Sequence, residues 1–143
     1  MATEKRAQKR NRNSAKRAGA AFEIQQAEFL REALENPYIS RQDKNGDKDL
    51  GDIAYVGHRH MGVGPHRVPI TLELKNTSNM NLASANREAF AEAVNYYDKH
   101  GGHIPLPIVM HKRHGVADPA KQWVTMDAAT FVRLLRAAQG AEK

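Results

Sequence analysis

From Ser14 to Glu35 the chain has no proline, and its apolar residues return at helical intervals. At 100° per residue Ala18, Ala20, Phe22, Ala27, Phe29, Leu30, Ala33 and Leu34 gather on one broad face, while Glu28, Glu32 and Glu35 fall opposite. Ser14 suits an N-cap and Asn36-Pro37 a stop, so the pattern predicts a helix over about 14–35. Glu23 departs from it, projecting between Leu30 and Leu34 inside the apolar face, one turn after Gly19. A lone carboxylate is costly to bury, so Glu23 calls for a cation, a metal or strong donors. An arginine partner or a snorkelling position at the edge of the stripe would serve as well.

The period then changes from helical to alternating. A short run opening at Asp52 and a longer one from Ile70 to Lys75 read as strands, and the Gly-, Pro- and His-rich connection lets them lie side by side. Strand side chains alternate, so Glu73 and Lys75 share one face and Leu72 and Leu74 the other. After a polar turn at Asn76–Asn81 comes a helix over about Leu82–His100, with Asn86, Phe90, Ala93, Val94 and Tyr97 inward and Gly101-Gly102 as its end. Ile104–Lys112 reads as a strand whose two prolines suggest an edge or an irregular start. Trp123–Met126 is a short last strand, and Asp127 caps a helix with the stripe Phe131, Leu134, Leu135 and Ala138. The expected fold class is α/β, a small mixed β-sheet flanked by helices, in the order α-β-β-α-β-β-α.

Charge adds more than length does. The 143 residues fit one domain, placed at 18–139 with 140–143 as a tail. Residues 1–17 hold Lys5, Arg6, Lys9, Arg10, Arg12, Lys16 and Arg17 against Glu4 alone, so they carry the whole formal net charge of +6. With almost no apolar content, this segment is expected to be a disordered basic arm. Such arms bind nucleic-acid phosphates by releasing counterions; a solubilising tail is the plainer role. The absence of cysteine excludes disulfides and thiolate zinc sites and suits a reducing cytoplasm. No apolar run reaches transmembrane length, and none follows the basic segment as a secretory signal requires, so a cytoplasmic protein without membrane contact is expected.

A carboxylate from each of two neighbouring strands, with an ammonium beside the second, makes a compact site for a hard divalent cation and a metal-activated water. Asp52, Glu73 and Lys75 supply these groups. Their Asp…Glu-x-Lys spacing resembles the PD-(D/E)XK nuclease superfamily. Gly19-Ala-Ala-Phe-Glu23 is similar to the Gly-x-x-x-Glu of the first helix in archaeal-type Holliday junction resolvases, and the order of elements is theirs too. The likeness spans roughly Ala18 to Ala137 and rests on four residues. It implies a restriction-endonuclease-like core and a Mg²⁺-dependent endodeoxyribonuclease in which Mn²⁺ can substitute. Asp52 and Glu73 would hold the metal, Glu23 would be a further ligand, and Lys75 would orient water and stabilise charge. The implied substrate is branched DNA, cut by a homodimer whose basic arms grip the duplexes. A restriction-type or repair nuclease would use the same residues. A non-catalytic nucleic-acid-binding protein would leave the carboxylates structural.

Other features carry less. Asp43–Asp49 opens like a calcium loop, but its glycine is misplaced and the twelfth position is Ala54, which excludes an EF-hand. His58, His60 and His66, with His111 and His114, show no zinc spacing and read as loop residues, some of them near DNA phosphates. Asn86 and Arg87 lie on the helix after the Glu-x-Lys strand, where the superfamily often adds a polar or basic active-site residue.

Overall fold

Alternation along Ile70–Lys75 sets the two sides of the molecule. The structure, a computed structural model, describes residues 2–42, 51–54 and 62–141, with side chains from residue 12 onward. Its elements are α1 (Ala2–Ala33), β1 (Ser40–Arg41), β2 (Ile53–Ala54), β3 (Ile70–Lys75), α2 (Leu82–His100), β4 (Leu106–His111), β5 (Trp123–Thr125) and α3 (Ala128–Ala138), with a 3₁₀ turn at Pro119–Lys121. Strands β3, β4 and β5 form a three-stranded sheet in that order, and β1 and β2 a separate two-stranded one. The β3–β4 pair is parallel and the β4–β5 pair antiparallel. The protein is thus a small mixed α/β fold of three helices and two small sheets. The expected order differs by the additional strand β1, and the strand opening at Asp52 pairs with β1 instead of extending the main sheet.

Leu72 and Leu74 turn to one side, where they join Leu106, Ile108 and Met110 of β4 in a core closed by Phe22 and Ala27 of α1, Ile39, Ile53 and Ala137 of α3. Thr71, Glu73 and Val109 turn to the other side, toward Ala85 and Ala89 of α2. Both faces being covered, the four central residues of β3 are all buried, as parallel strands require.

Several expectations need correction. The basic segment expected as a disordered arm is the first half of α1. Its Ala, Gln, Lys and Arg residues favour helix, and continuity with the packed half removes the cost of nucleation. The buried face of α1 is Phe22, Glu23, Gln26 and Ala27, whereas Leu34 is exposed beyond the helix end. Gln26 is fully buried because its amide donates to the Met110 sulfur at 3.0 Å and the Pro119 carbonyl at 3.2 Å.

On α2 the inward residues are Ala85, Ala89, Glu92 and Ala93, while Phe90, Val94 and Tyr97 are exposed. Alanines four apart let the helix come close to β3 and β4, and large side chains there would hold it off. Finally, β4 is central in its sheet despite Pro107. Leu106 N–H donates to the Pro69 carbonyl, so the next nitrogen points away from β3. On that side β5 begins opposite His111 and ends opposite Val109, so the missing N–H of Pro107 faces no strand.

The caps follow the sequence. Asn81 accepts from Ser84 N–H, Asp127 accepts from Thr130 N–H, and Gly101 ends α2 at φ 66° with its N–H on the Tyr97 carbonyl. The α3 stripe is narrower than expected: Thr130 and Ala137 are buried and Leu134 packs on the core, but Phe131 and Leu135 are exposed. No helix among the described residues is long and apolar enough to cross a membrane. Asp43–Asp49, His58 and His60 lie outside the described residues.

The turn before β3 is wedged against α3. Gly64 has φ 70°, and a Cβ built on it would stand 1.8 Å from the Ala137 carbonyl oxygen. Gly64→Ala is therefore expected to lower stability by about 1–3 kcal/mol in urea denaturation. An unchanged midpoint would mean that the turn does not pack there.

Candidate active site

Asp52 is fastened to β3 from two directions. Its backbone N–H donates to the Leu72 carbonyl at 2.8 Å, and its carboxylate Oδ2 accepts from the Leu74 N–H at 2.6 Å. The residue between those anchor points is Glu73, whose side chain faces α2. Asp52 is 3 % and Glu73 5 % exposed. The expected juxtaposition of the two carboxylates is thus present, made by side-chain-to-backbone bonding and not by a continuous ladder.

Glu92 of α2 joins them. It is 3 % exposed, and its carboxylate is hydrogen-bonded to that of Glu73. Gly51 makes room: it is buried at φ 102°, and a Cβ there would lie 3.5 Å from Glu92 Oε2 and 3.3 Å from the Leu72 carbonyl oxygen. Burial, and then the nearby Asp52 charge, push the Glu73 carboxyl above its ordinary value of 4.5, outweighing the hydrogen bonds with Glu92 and Lys75.

Lys75 completes the group. Its Nζ lies 2.6 Å from Glu73 Oε1 and 2.5 Å from Glu88 Oε2. Burial works against its charge, but its hydrogen bonds to Glu73 and Glu88 and their negative charges prevail and raise its pKa above 10.5. Lys75 is therefore held as an ammonium. Glu88, half exposed at the rim, is lowered first by its hydrogen bond with Lys75. In register with Lys75 on the neighbouring strand stands His111, its Nε2 2.8 Å from Thr125 Oγ1 and its pKa lowered by burial.

Glu23 is buried inside the α1 face, as its position in the stripe implied, and its Oε2 receives Arg41 Nε at 2.5 Å. Arg41 lies in β1, opposite Ile53 and so beside Asp52 in the ladder. Glu23 therefore sits at the same edge of the fold, on a guanidinium. Among the residues suggested on α2, Asn86 bonds to Asp127 and Arg87 is exposed. Glu88 and Glu92 take the places expected for them. Their signal was the spacing Glu88, Ala89, Glu92, Ala93, one acidic and one alanine row side by side on a single helix face. Of the basic segment, Arg12, Lys16 and Arg17 have described side chains, and all three are exposed.

Carboxylate oxygens are the donor type a hard divalent cation takes, and Asp52, Glu73 and Glu92 are three buried ones, with Glu73 paired to the Lys75 ammonium. Among the described residues no three His, Asp or Glu side chains converge as a metal-ligand group. No family model, no curated protein and no solved structure matches this chain.

The raised pKa of Glu73 carries a stability consequence. A carboxyl raised in the folded state stabilises below the unfolded value, here 4.5, and loses that contribution as pH climbs through the folded value. Glu73→Gln keeps the neutral form at every pH, and Lys75 retains Glu88. In EDTA the variant should match the wild type in melting temperature below pH 4.5 and exceed it near neutrality. A variant that is less stable at neutral pH would show that the Lys75 pair outweighs burial.

Proposed function

We propose that this protein is a metal-dependent endodeoxyribonuclease of restriction-endonuclease-like outline, acting on branched DNA as a two-fold homodimer. The observation that carries the reading is the anchoring of Asp52 on the β3 backbone, which sets its charge against buried Glu73 with the Lys75 ammonium alongside. Asp52 and Glu73 would hold Mg²⁺ or Mn²⁺, with Glu92 beside them. Glu23 would become a further ligand, directly or through water, on release from Arg41.

The cation would supply a more acidic bound water and neutralise charge developing on the phosphate. The residues do the remainder. Asp52 is held in place by the Leu74 N–H. Lys75, held protonated, acts as a charge and not as a base: it orients the attacking water and stabilises the anionic phosphate.

The exposed basic side chains of α1 support nucleic-acid contact through phosphates, which positions the protein without reading sequence. One site per small domain supports the dimer, since resolving a four-way junction takes two symmetric cuts. Phe90, Val94 and Tyr97 give α2 an exposed apolar row available to a second copy. A non-catalytic nucleic-acid-binding protein is the competing reading; the Glu23–Arg41 pair and the lack of a converged ligand group among the described residues favour it.

Cleavage of a synthetic four-way junction in Mg²⁺, against EDTA, separates the two. Asp52→Asn and Glu73→Gln should abolish cutting yet bind the junction normally in EDTA, and Lys75→Ala should do the same with Mg²⁺ affinity retained. Wild-type rates in any of the three would sink the assignment. Replacing Arg12, Lys16 and Arg17 with glutamine should weaken binding to every DNA and flatten its salt dependence, by about 0.9 in the log–log slope for each phosphate no longer neutralised. An unchanged slope would leave α1 without a role in DNA binding.

A further inference from the structure

The β3–α2 unit has a second end with different chemistry. Where β3 begins and α2 stops, His66, Arg67, Tyr96, His100 and His103 line a cleft of about 270 Å³, and no carboxylate is among its lining residues. That volume lies just under the roughly 300–1,000 Å³ of ordinary small-molecule pockets, which suits a phosphate with its sugar or base.

Arg67 is delivered to this cleft by a strained turn. Its φ is 53°, left-handed backbone that costs a non-glycine residue on the order of 1–3 kcal/mol. Such strain persists where the surroundings over-determine it, and they do here. Val63 and Val68 exchange backbone hydrogen bonds of 2.8 and 3.1 Å, and Arg67 N–H donates to the Gly64 carbonyl at 3.0 Å. Gly64 abuts Ala137, Pro65 abuts Gly140, and His66 Nε2 lies 3.1 Å from the Gly140 carbonyl oxygen.

Across the cleft the Tyr96 and His100 rings lie 4.4 Å apart at 43° and form an aromatic wall. The negative end of the α2 dipole opposes an anion there, and Lys99 and His100 in the last turn offset it. A metal is the less suitable occupant, because among the described residues no three histidines converge as ligands. The donors instead match a phosphate: a forked guanidinium, imidazole N–H groups and a phenol.

We propose that this cleft holds one phosphate of the bound DNA strand, with Arg67 forking onto its oxygens and the Tyr96–His100 wall against the adjoining sugar or base. The phosphate chemistry stands by itself, whereas the DNA strand as its source rests on the nuclease reading. Pro69 and Glu73 are four residues apart on an extended chain, roughly 13 Å. The phosphate held here would therefore lie a few nucleotides from the bond that is cut.

Titrating inorganic phosphate into the whole, metal-free protein tests the site without reference to cleavage. Side-chain NMR signals of His66, Tyr96, His100 and His103 should shift, and Arg67→Ala should remove the response; His103→Ala, outside the strained turn, should weaken it. In EDTA Arg67→Ala should lower the salt slope of junction binding by about 0.9. No response to millimolar phosphate would overturn the site, whatever the cleavage assay shows. A phosphate response with an unaltered salt slope would mean a pocket for free phosphate and overturn its assignment to the DNA strand. If both binding results hold while Mg²⁺-dependent cutting is absent, the phosphate site stands and the nuclease reading alone falls.

Discussion

Asp52 binds β3 through its backbone N–H and again through its carboxylate, so the chain entering β2 is fixed by the strand whose glutamate it confronts. Much of the neighbouring structure follows from that attachment. A carboxylate held there raises the cost of ionising buried Glu73, which makes an adjacent cation valuable, and Lys75 supplies one from the same face of the same strand. Lys75 is itself partly buried and depends on Glu88 as well as Glu73. Glu88 and Glu92 must therefore both face the sheet. That fixes the rotation of α2, leaves Ala85, Ala89 and Ala93 to fill the contact and turns Phe90, Val94 and Tyr97 outward. A chemical requirement at one end of the sheet has decided which face of a helix is buried.

Such an arrangement is poorly explained by stability alone. Buried carboxylates that bond to one another are worse for folding than apolar side chains of similar volume, and partial protonation only lessens the penalty. The rest of the fold shows that the chain readily uses small apolar residues where packing is the aim, as at Ala27, Ala89 and Ala137. Confining the excess negative charge to one end of β3 concentrates it where a cation would relieve it most. The ion pair of Glu23 with Arg41 lies at the same edge and is satisfied within the protein.

Local signals in the sequence are legible, and long-range ones are not. β3, the Asp127 cap and the Gly101 stop depend on a few adjacent residues, and they stand where the pattern puts them. The face of α2 is misleading in sequence because Phe90, Val94 and Tyr97 make the stronger hydrophobic period, whereas the true face is set by what lies across from it. Glu88 and Glu92 share a helix face with the alanine row, but that spacing does not reveal that Lys75 and Glu73 lie across from them. The Arg41 partner of Glu23 sits in a two-residue strand too short to leave a pattern. The central place of β4 is hidden by Pro107, whose missing donor matters only on the side that β5 does not reach. The closeness of Asp52, Glu73 and Lys75 is legible because Glu73 and Lys75 alternate onto one face of β3 and the Asp52 segment reads as its neighbour.

Direction along β3 gives the last constraint. In parallel β-α-β units ligands gather beyond the carboxyl ends of the strands, where the chain leaves the sheet and side chains from neighbouring strands converge. Glu73 and Lys75 stand at that end of β3, with His111 in register at the same end of β4. Burial lowers the pKa of His111, whose Nε2 lies 2.8 Å from Thr125 Oγ1. The opposite end of the unit, at Arg67 and His103, has no acidic lining. The acidic groups thus sit at one end and the Arg67, Tyr96 and histidine donors at the other, with the length of a short strand between them. A polyanion lying along this unit would meet donors at one point and, at the other, carboxylates that repel it until a cation intervenes. Binding and chemistry would then be separable in this protein, the first requiring only the cationic groups and the second requiring the metal as well.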